Sequence, residues 1–101
     1  MNTLSKLIAI ASLTAASSLA LADDVSADEA KRLVESGTIQ SFELVKGGIL
    51  DTYPGATIEK VELEVDNGSY TYEVEIVDGG GTEWDLDIDA SSGEIVKAVQ
   101  D

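Results

Sequence analysis

Hydrophobic and polar residues alternate strictly over residues 61–65 and 70–76, a pattern typical of β-strands with one buried face. The dipeptide Asn67-Gly68 separates the two runs, and in this position it predicts a two-residue type I′ turn. Such a turn places Leu63 opposite Tyr72, and the neighbouring pairs are also apolar. The register therefore supports a hairpin with one buried face.

A third strand follows, because residues 84–89 alternate in the same way after the loop Asp78–Thr82. This loop length pairs Val74 with Leu86. A last strand is predicted from Glu94 to Val99, although its apolar residues do not alternate cleanly. The predicted buried face consists of Val61, Leu63, Val65, Tyr70, Tyr72, Val74, Ile76, Trp84, Leu86 and Ile88.

Two helices are predicted before the strands. Ser26 and Glu29 have the spacing of a capping box, which opens a short helix that ends near Gly37. A second helix begins near Ser41 and ends at Pro54-Gly55. Its apolar residues fall on one helical face. They are Phe42, Val45, Ile49 and Tyr53.

Gly47-Gly48 lies in the middle of the second predicted helix, where each glycine costs about 1 kcal/mol relative to alanine. We therefore expect either a kink or a close approach to another element. Because a sheet with one apolar face must be covered, the predicted fold class is α+β. Two N-terminal helices pack on one face of a four-stranded antiparallel β-meander.

Residues 1–22 have the features of a signal peptide. Lys6 supplies a positive start, an apolar segment follows, and Ala20-Leu21-Ala22 is a cleavage motif. Cleavage after Ala22 predicts a periplasmic or secreted protein and no membrane insertion after the signal is removed. Residues 23–101 are long enough for a single domain, and Asp23–Val25 is expected to be a frayed start.

The charge of the chain restricts its partners. Its net charge is −14, and removal of Lys6 with the signal makes it −15. Nucleic acids and anionic membranes would repel such a chain. With no His and no Cys, the common nucleophilic schemes and most transition-metal sites are excluded. We expect no catalytic residues, no enzyme activity and no cofactor.

The same alternation that builds the apolar face places carboxylates on the opposite face of the sheet. Candidate residues for partner binding on this face are Glu62, Glu64, Glu73, Glu75, Asp85 and Asp87. The register puts Glu62, Glu73 and Asp87 side by side in one row, where like charges at about 5 Å destabilise the sheet.

Three explanations of this face remain open: a solvated surface that resists aggregation, a docking surface for a basic protein, and weak Ca²⁺ binding. No metal site is expected, because flat strands rarely supply the 6 to 8 oxygen ligands of Ca²⁺. If Ca²⁺ binds weakly, the row Glu62, Glu73, Asp87 is its candidate site. Asp85-x-Asp87-x-Asp89 is not an EF-hand loop, which would need Gly at position 90 and Glu at position 96.

The order of these motifs resembles the PepSY domain family: a helix ending in Tyr-Pro-Gly, a Val-rich strand, a Tyr-containing strand, a Gly turn, and a close similar to "VDA-x-TGE". Its structural markers in this chain are Tyr53, Pro54, Gly55, Tyr72, Asp89 and Gly93. The resemblance implies a non-catalytic module that modulates or inhibits an envelope or secreted peptidase. The alternative is a periplasmic cation-responsive accessory or sensor protein.

Overall fold

The structure is a computed structural model and describes residues 23–101. The predicted signal peptide lies outside the described residues. The elements in chain order are β1 (Asp23–Asp24), α1 (Ala27–Glu35), α2 (Phe42–Thr52), β2 (Thr57–Asp66), β3 (Ser69–Val77), β4 (Glu83–Asp89) and β5 (Ile95–Gln100). This confirms an α+β arrangement with two helices before the main strands.

The sheet is antiparallel throughout, and its strands follow the order β1-β2-β3-β4-β5. The predicted register is correct: Leu63 pairs with Tyr72 and Val74 pairs with Leu86. At the hairpin turn Asn67 and Gly68 have φ of 51° and 79°, as a type I′ turn requires.

The prediction of four strands is wrong, because Asp23–Asp24 forms a fifth strand at the edge of β2. Asp24 pairs with Glu64, and the Val25 N–H donates to the Leu63 carbonyl at 2.8 Å. A two-residue strand held by backbone hydrogen bonds has no alternating side-chain pattern, so the sequence offered no signal for it.

Two β-bulges change which residues face the core. One lies between Ile58 and Lys60 of β2, and the other is opposite the Asp87–Ile88 step of β4. In β5, Ile95 pairs with Ile88 and Lys97 pairs with Asp87, so Val96 is the extra residue. The bulge explains why the apolar residues of β5 do not alternate.

Both helices start and end at the predicted signals. The Ser26 hydroxyl accepts a hydrogen bond from the Glu29 N–H at 3.2 Å. Gly37 follows the end of α1 and has a φ of 80°. Its N–H donates to the Val34 carbonyl, and the Thr38 N–H donates to the Leu33 carbonyl. These two bonds form a Schellman motif.

Gly47 and Gly48 do not have the structural role predicted for them. The helix α2 is continuous from Phe42 to Thr52. Both glycines are exposed, and a Cβ atom at either would meet nothing within 4 Å. The predicted close approach is therefore wrong, and the two glycines do not interrupt the helix.

The core lies between the helices and one face of the sheet. Its largest fully buried side chains are Ile49, Val74, Ile76, Leu86 and Ile88. Val61, predicted to be buried, is 39% exposed, because β1 pairs with β2 only around residues 63–65 and leaves the rest of that edge open. Trp84 lies on the predicted face but is only half-buried.

The segment between the helices is fastened to the sheet at Gln40. The Gln40 N–H donates to the Ala90 carbonyl at 2.8 Å, and its side-chain Nε2 donates to the Ser92 carbonyl at 3.0 Å. The Tyr72 hydroxyl donates to the Gln40 carbonyl at 2.8 Å. Burial raises the pKa of the Tyr72 phenol, so this hydroxyl remains a donor at neutral pH.

The glycines supply a paired test of the fold. Gly68→Ala should lower the free energy of unfolding by about 1 kcal/mol, since an alanine is strained at positive φ. Gly47→Ala should raise it by up to about 1 kcal/mol, because the position is helical and open. Urea unfolding of both variants measures the two effects. Equal changes would contradict the assigned turn and helix.

Candidate functional site

The face of the sheet opposite the helices carries most of the sheet's charge, and we call it the acidic face. It is built by the odd-numbered residues of β3 and β4 and by the even-numbered residues of β2 after its bulge. Its carboxylates are Asp24, Glu62, Glu64, Asp66, Glu73, Glu75, Glu83, Asp85, Asp87 and Asp89. The structure therefore brings all six predicted partner-binding residues onto one surface.

The predicted row of Glu62, Glu73 and Asp87 is present, since these residues are direct cross-strand partners. The strand β5 extends the row with Lys97, which pairs with Asp87. At the other end the Lys60 Nζ lies 3.5 Å from the Glu62 carboxylate. A lysine therefore stands at each margin of the face.

The middle of the acidic face is concave. A depression of about 300 Å³ runs over β3 and β4, and its floor includes Val74 and Leu86. The charged residues that line it are Lys60, Glu62, Glu73, Glu75, Asp85, Asp87 and Lys97.

A tight group of carboxylates forms where β1 joins β2. Carboxylate oxygens of Asp24, Glu62 and Glu64 lie within 4.8 Å of one another. Burial, a hydrogen bond with Glu73 and the charges of Glu73, Asp24 and Glu62 raise the pKa of Glu64 from 4.5 to about 7. Sequence reasoning missed Asp24 because it missed β1.

Carboxylates are also close together at the opposite end of the acidic face, near the end of β5. Asp101 follows β5, and its N–H donates to the Glu83 carbonyl at 3.0 Å. A side-chain hydrogen bond with Asp85, partial desolvation and the charges of nearby carboxylates raise the pKa of Asp101. Like charges are thus close together at both ends of the acidic face.

The family-marker residues Tyr53, Pro54 and Gly55 lie between α2 and β2 and pack against the β3–β4 loop and the start of β4. The Tyr53 and Trp84 rings are 5.4 Å apart. A Cβ atom at Gly79 would come within 2.9 Å of the Pro54 carbonyl oxygen, so the close approach of these segments requires a glycine there.

Asp78 holds that loop in place. One carboxylate oxygen accepts from the Gly80 and Thr82 N–H groups, and the other accepts from Trp84 Nε1, all at 2.9 Å. The Trp84 indole donor and these backbone donors lower the pKa of Asp78. This residue was not singled out from sequence, although an Asp before a Gly-rich turn is a recognised turn signal.

Asp89 and Gly93 shape the turn between β4 and β5. The Asp89 carboxylate accepts from the Ser91 hydroxyl at 2.8 Å and from the Ser91 N–H at 2.9 Å, which lowers the Asp89 pKa. Gly93 has φ of 81° and lies against the Gln40 side chain. Tyr72 also binds Gln40, through the hydrogen bond from its hydroxyl to the Gln40 carbonyl. These marker residues therefore stabilise the fold.

Within residues 23–101 no polar or charged side chain is buried. The carboxylates around the depression lie on an open surface rather than in an enclosed pocket. No helix in this range is long and apolar enough to cross a membrane.

Comparison with known proteins identifies the class. The family model described as "Peptidase propeptide and YPEB domain" (PepSY) matches residues 24–99. The chain belongs to the PepSY family, as its motifs predicted.

One curated relative is 42% identical over 43 residues, an uncharacterized protein YkoJ of Bacillus subtilis (strain 168). The match spans 43% of this chain and 25% of the relative, so the chain matches only about a quarter of that protein's length. No solved structure was found to match the chain.

The raised pKa of Glu64 predicts a pH dependence of stability. Because the folded pKa of about 7 exceeds the ordinary 4.5, the folded state binds more protons between these values. The contribution of Glu64 to the free energy of unfolding is fully present below pH 4.5 and is lost as the pH rises through 7. Glu64→Gln should therefore show a smaller fall in Tm between pH 5 and pH 8 than the wild type.

Glu59→Gln is the matched control, since Glu59 is an exposed residue of the same strand. Its Tm should follow the wild-type pH profile. Parallel profiles for Glu64→Gln and wild type would contradict the assigned proton-binding group.

Proposed function

We propose that this chain is an exported, non-catalytic binding module that modulates an envelope or secreted peptidase through its acidic face. Family membership supports the general class, since the family description names peptidase propeptides. The observation that carries the proposal is the separation of the two sheet faces. The helices cover the apolar face and leave the acidic face uncovered.

Charge gives this surface a physical role in recognition. Uncompensated carboxylates at strand spacing repel one another, and a basic partner relieves that repulsion as it binds. Clustered charge of one sign also accelerates association with an oppositely charged partner and makes it sensitive to salt. Contact residues in this proposal are Glu62, Glu64, Glu73, Glu75, Asp85 and Asp87.

The test uses the tagged chain expressed with residues 1–22 and recovered from the envelope or medium. Its N-terminus should be Asp23, as cleavage after Ala22 requires. In a pull-down from envelope extract at low salt it should retain a peptidase whose activity it changes, and high salt should release that peptidase.

A double variant, Asp85→Asn with Asp87→Asn, should lose this retention. The control, Glu35→Gln with Asp51→Asn, removes the same charge from exposed helix positions and should keep it. Retention lost equally in both variants, or no peptidase retained by the wild type, would contradict the proposal.

A cation-responsive accessory or sensor protein is the second candidate, and the proximity of Asp24, Glu62 and Glu64 favours it. Carboxylate oxygens are the ligands that Ca²⁺ prefers. If this candidate is correct, millimolar Ca²⁺ should raise the Tm at matched ionic strength. Glu62→Gln should abolish the rise. An equal Tm in CaCl₂ and NaCl would exclude it.

A further inference from the structure

The charges of the acidic face are sorted by strand. Within the depression every charged residue of the central strands β3 and β4 is a carboxylate, whereas the two lysines lie on the flanking strands β2 and β5. Read from β2 towards β5, one cross-strand row is Lys60, Glu75 and Asp85. The next row is Glu62, Glu73, Asp87 and Lys97. A channel of negative charge therefore runs along β3 and β4 and includes Glu62 of β2, with a lysine on each side.

The dimensions of this channel limit what can occupy it. Neighbouring strands are about 4.8 Å apart, and successive side chains on one face of a strand are about 6.8 Å apart. An extended peptide repeats at the same interval, so its alternate side chains meet successive carboxylates. Side chains on one face of a helix repeat unevenly, at three and four residues, and lose this match.

The two lysines at the margins also disfavour binding of a broad basic surface, because its positive charges would lie close to Lys60 and Lys97 and be repelled. A narrow segment that follows β3 and β4 along the middle of the depression keeps its positive charges between the two lysines. A second copy of the chain is disfavoured because its acidic face has the same sign of charge.

We propose that the depression binds an extended basic protein segment, with Lys or Arg at alternate positions, that lies along β3 and β4. The inference rests on the proposed function, since the segment would belong to the modulated peptidase. The alternate basic side chains contact Glu73, Glu75, Asp85 and Asp87, while the intervening side chains point to solvent.

Two synthetic peptides of equal composition and charge test the spacing: four Lys-Ser repeats, and a block of four lysines followed by four serines. When extended, the repeat presents all its lysines on one side, whereas the block presents half of them. At physiological salt the wild-type chain should bind the repeat about five-fold more tightly, as two additional exposed ion pairs would allow. Fluorescence anisotropy of labelled peptides measures both affinities.

The preference should disappear in Asp85→Asn with Asp87→Asn and persist in the control Glu35→Gln with Asp51→Asn. Equal affinities of the wild type for both peptides, or an equal loss of preference in both variants, would overturn the channel. Circular dichroism melts establish that each variant is folded.

The outcome is separable from that of the proposed function. A peptidase retained through the acidic face without any preference for the repeat peptide would contradict only the channel. A clear preference without retention of a peptidase would support the channel and contradict the proposed function.

Discussion

Both faces of the sheet depend on the register with which β2 and β3 pair across the Asn67-Gly68 turn. The positive φ of both turn residues allows the two-residue connection, and that connection sets Leu63 against Tyr72 and Glu62 against Glu73. A shift of one residue would exchange the two faces of the strand. The same turn therefore creates the apolar face that the helices cover and the acidic face that they leave open.

Much of this arrangement could be predicted from the sequence, because alternation and turn chemistry are local signals. The hairpin, its register, the third strand, both helices and the row Glu62, Glu73, Asp87 follow from them. The bulge at Val96 and the strand β1 could not be predicted, since a bulge interrupts alternation and a two-residue strand has none. Burial raises the pKa of Glu64 most, and Glu73, Asp24 and Glu62 raise it further, so only the part due to Asp24 depended on the missed strand.

The family markers have a different role from the candidate site. Tyr72 and Gly93 both contact Gln40, and Pro54 contacts Gly79. These contacts hold the helices and loops against the apolar face of the sheet. None of these contacts uses the carboxylates on the central strands. Apart from Asp89, whose carboxylate orders the β4–β5 turn, the chain can therefore vary the charges of its exposed face without disturbing these contacts. This suits a module that recognises a particular partner.

The central claim is that the acidic face is the binding surface and that the helical side only supports it. Two-dimensional NMR of the isotopically labelled chain, titrated with the Lys-Ser repeat peptide, tests this claim most directly. We predict that the largest amide shift changes occur in Glu73–Glu75 and Asp85–Asp87, with little change in α1 and α2. Shift changes concentrated on the helices, or spread evenly over the chain, would contradict the account.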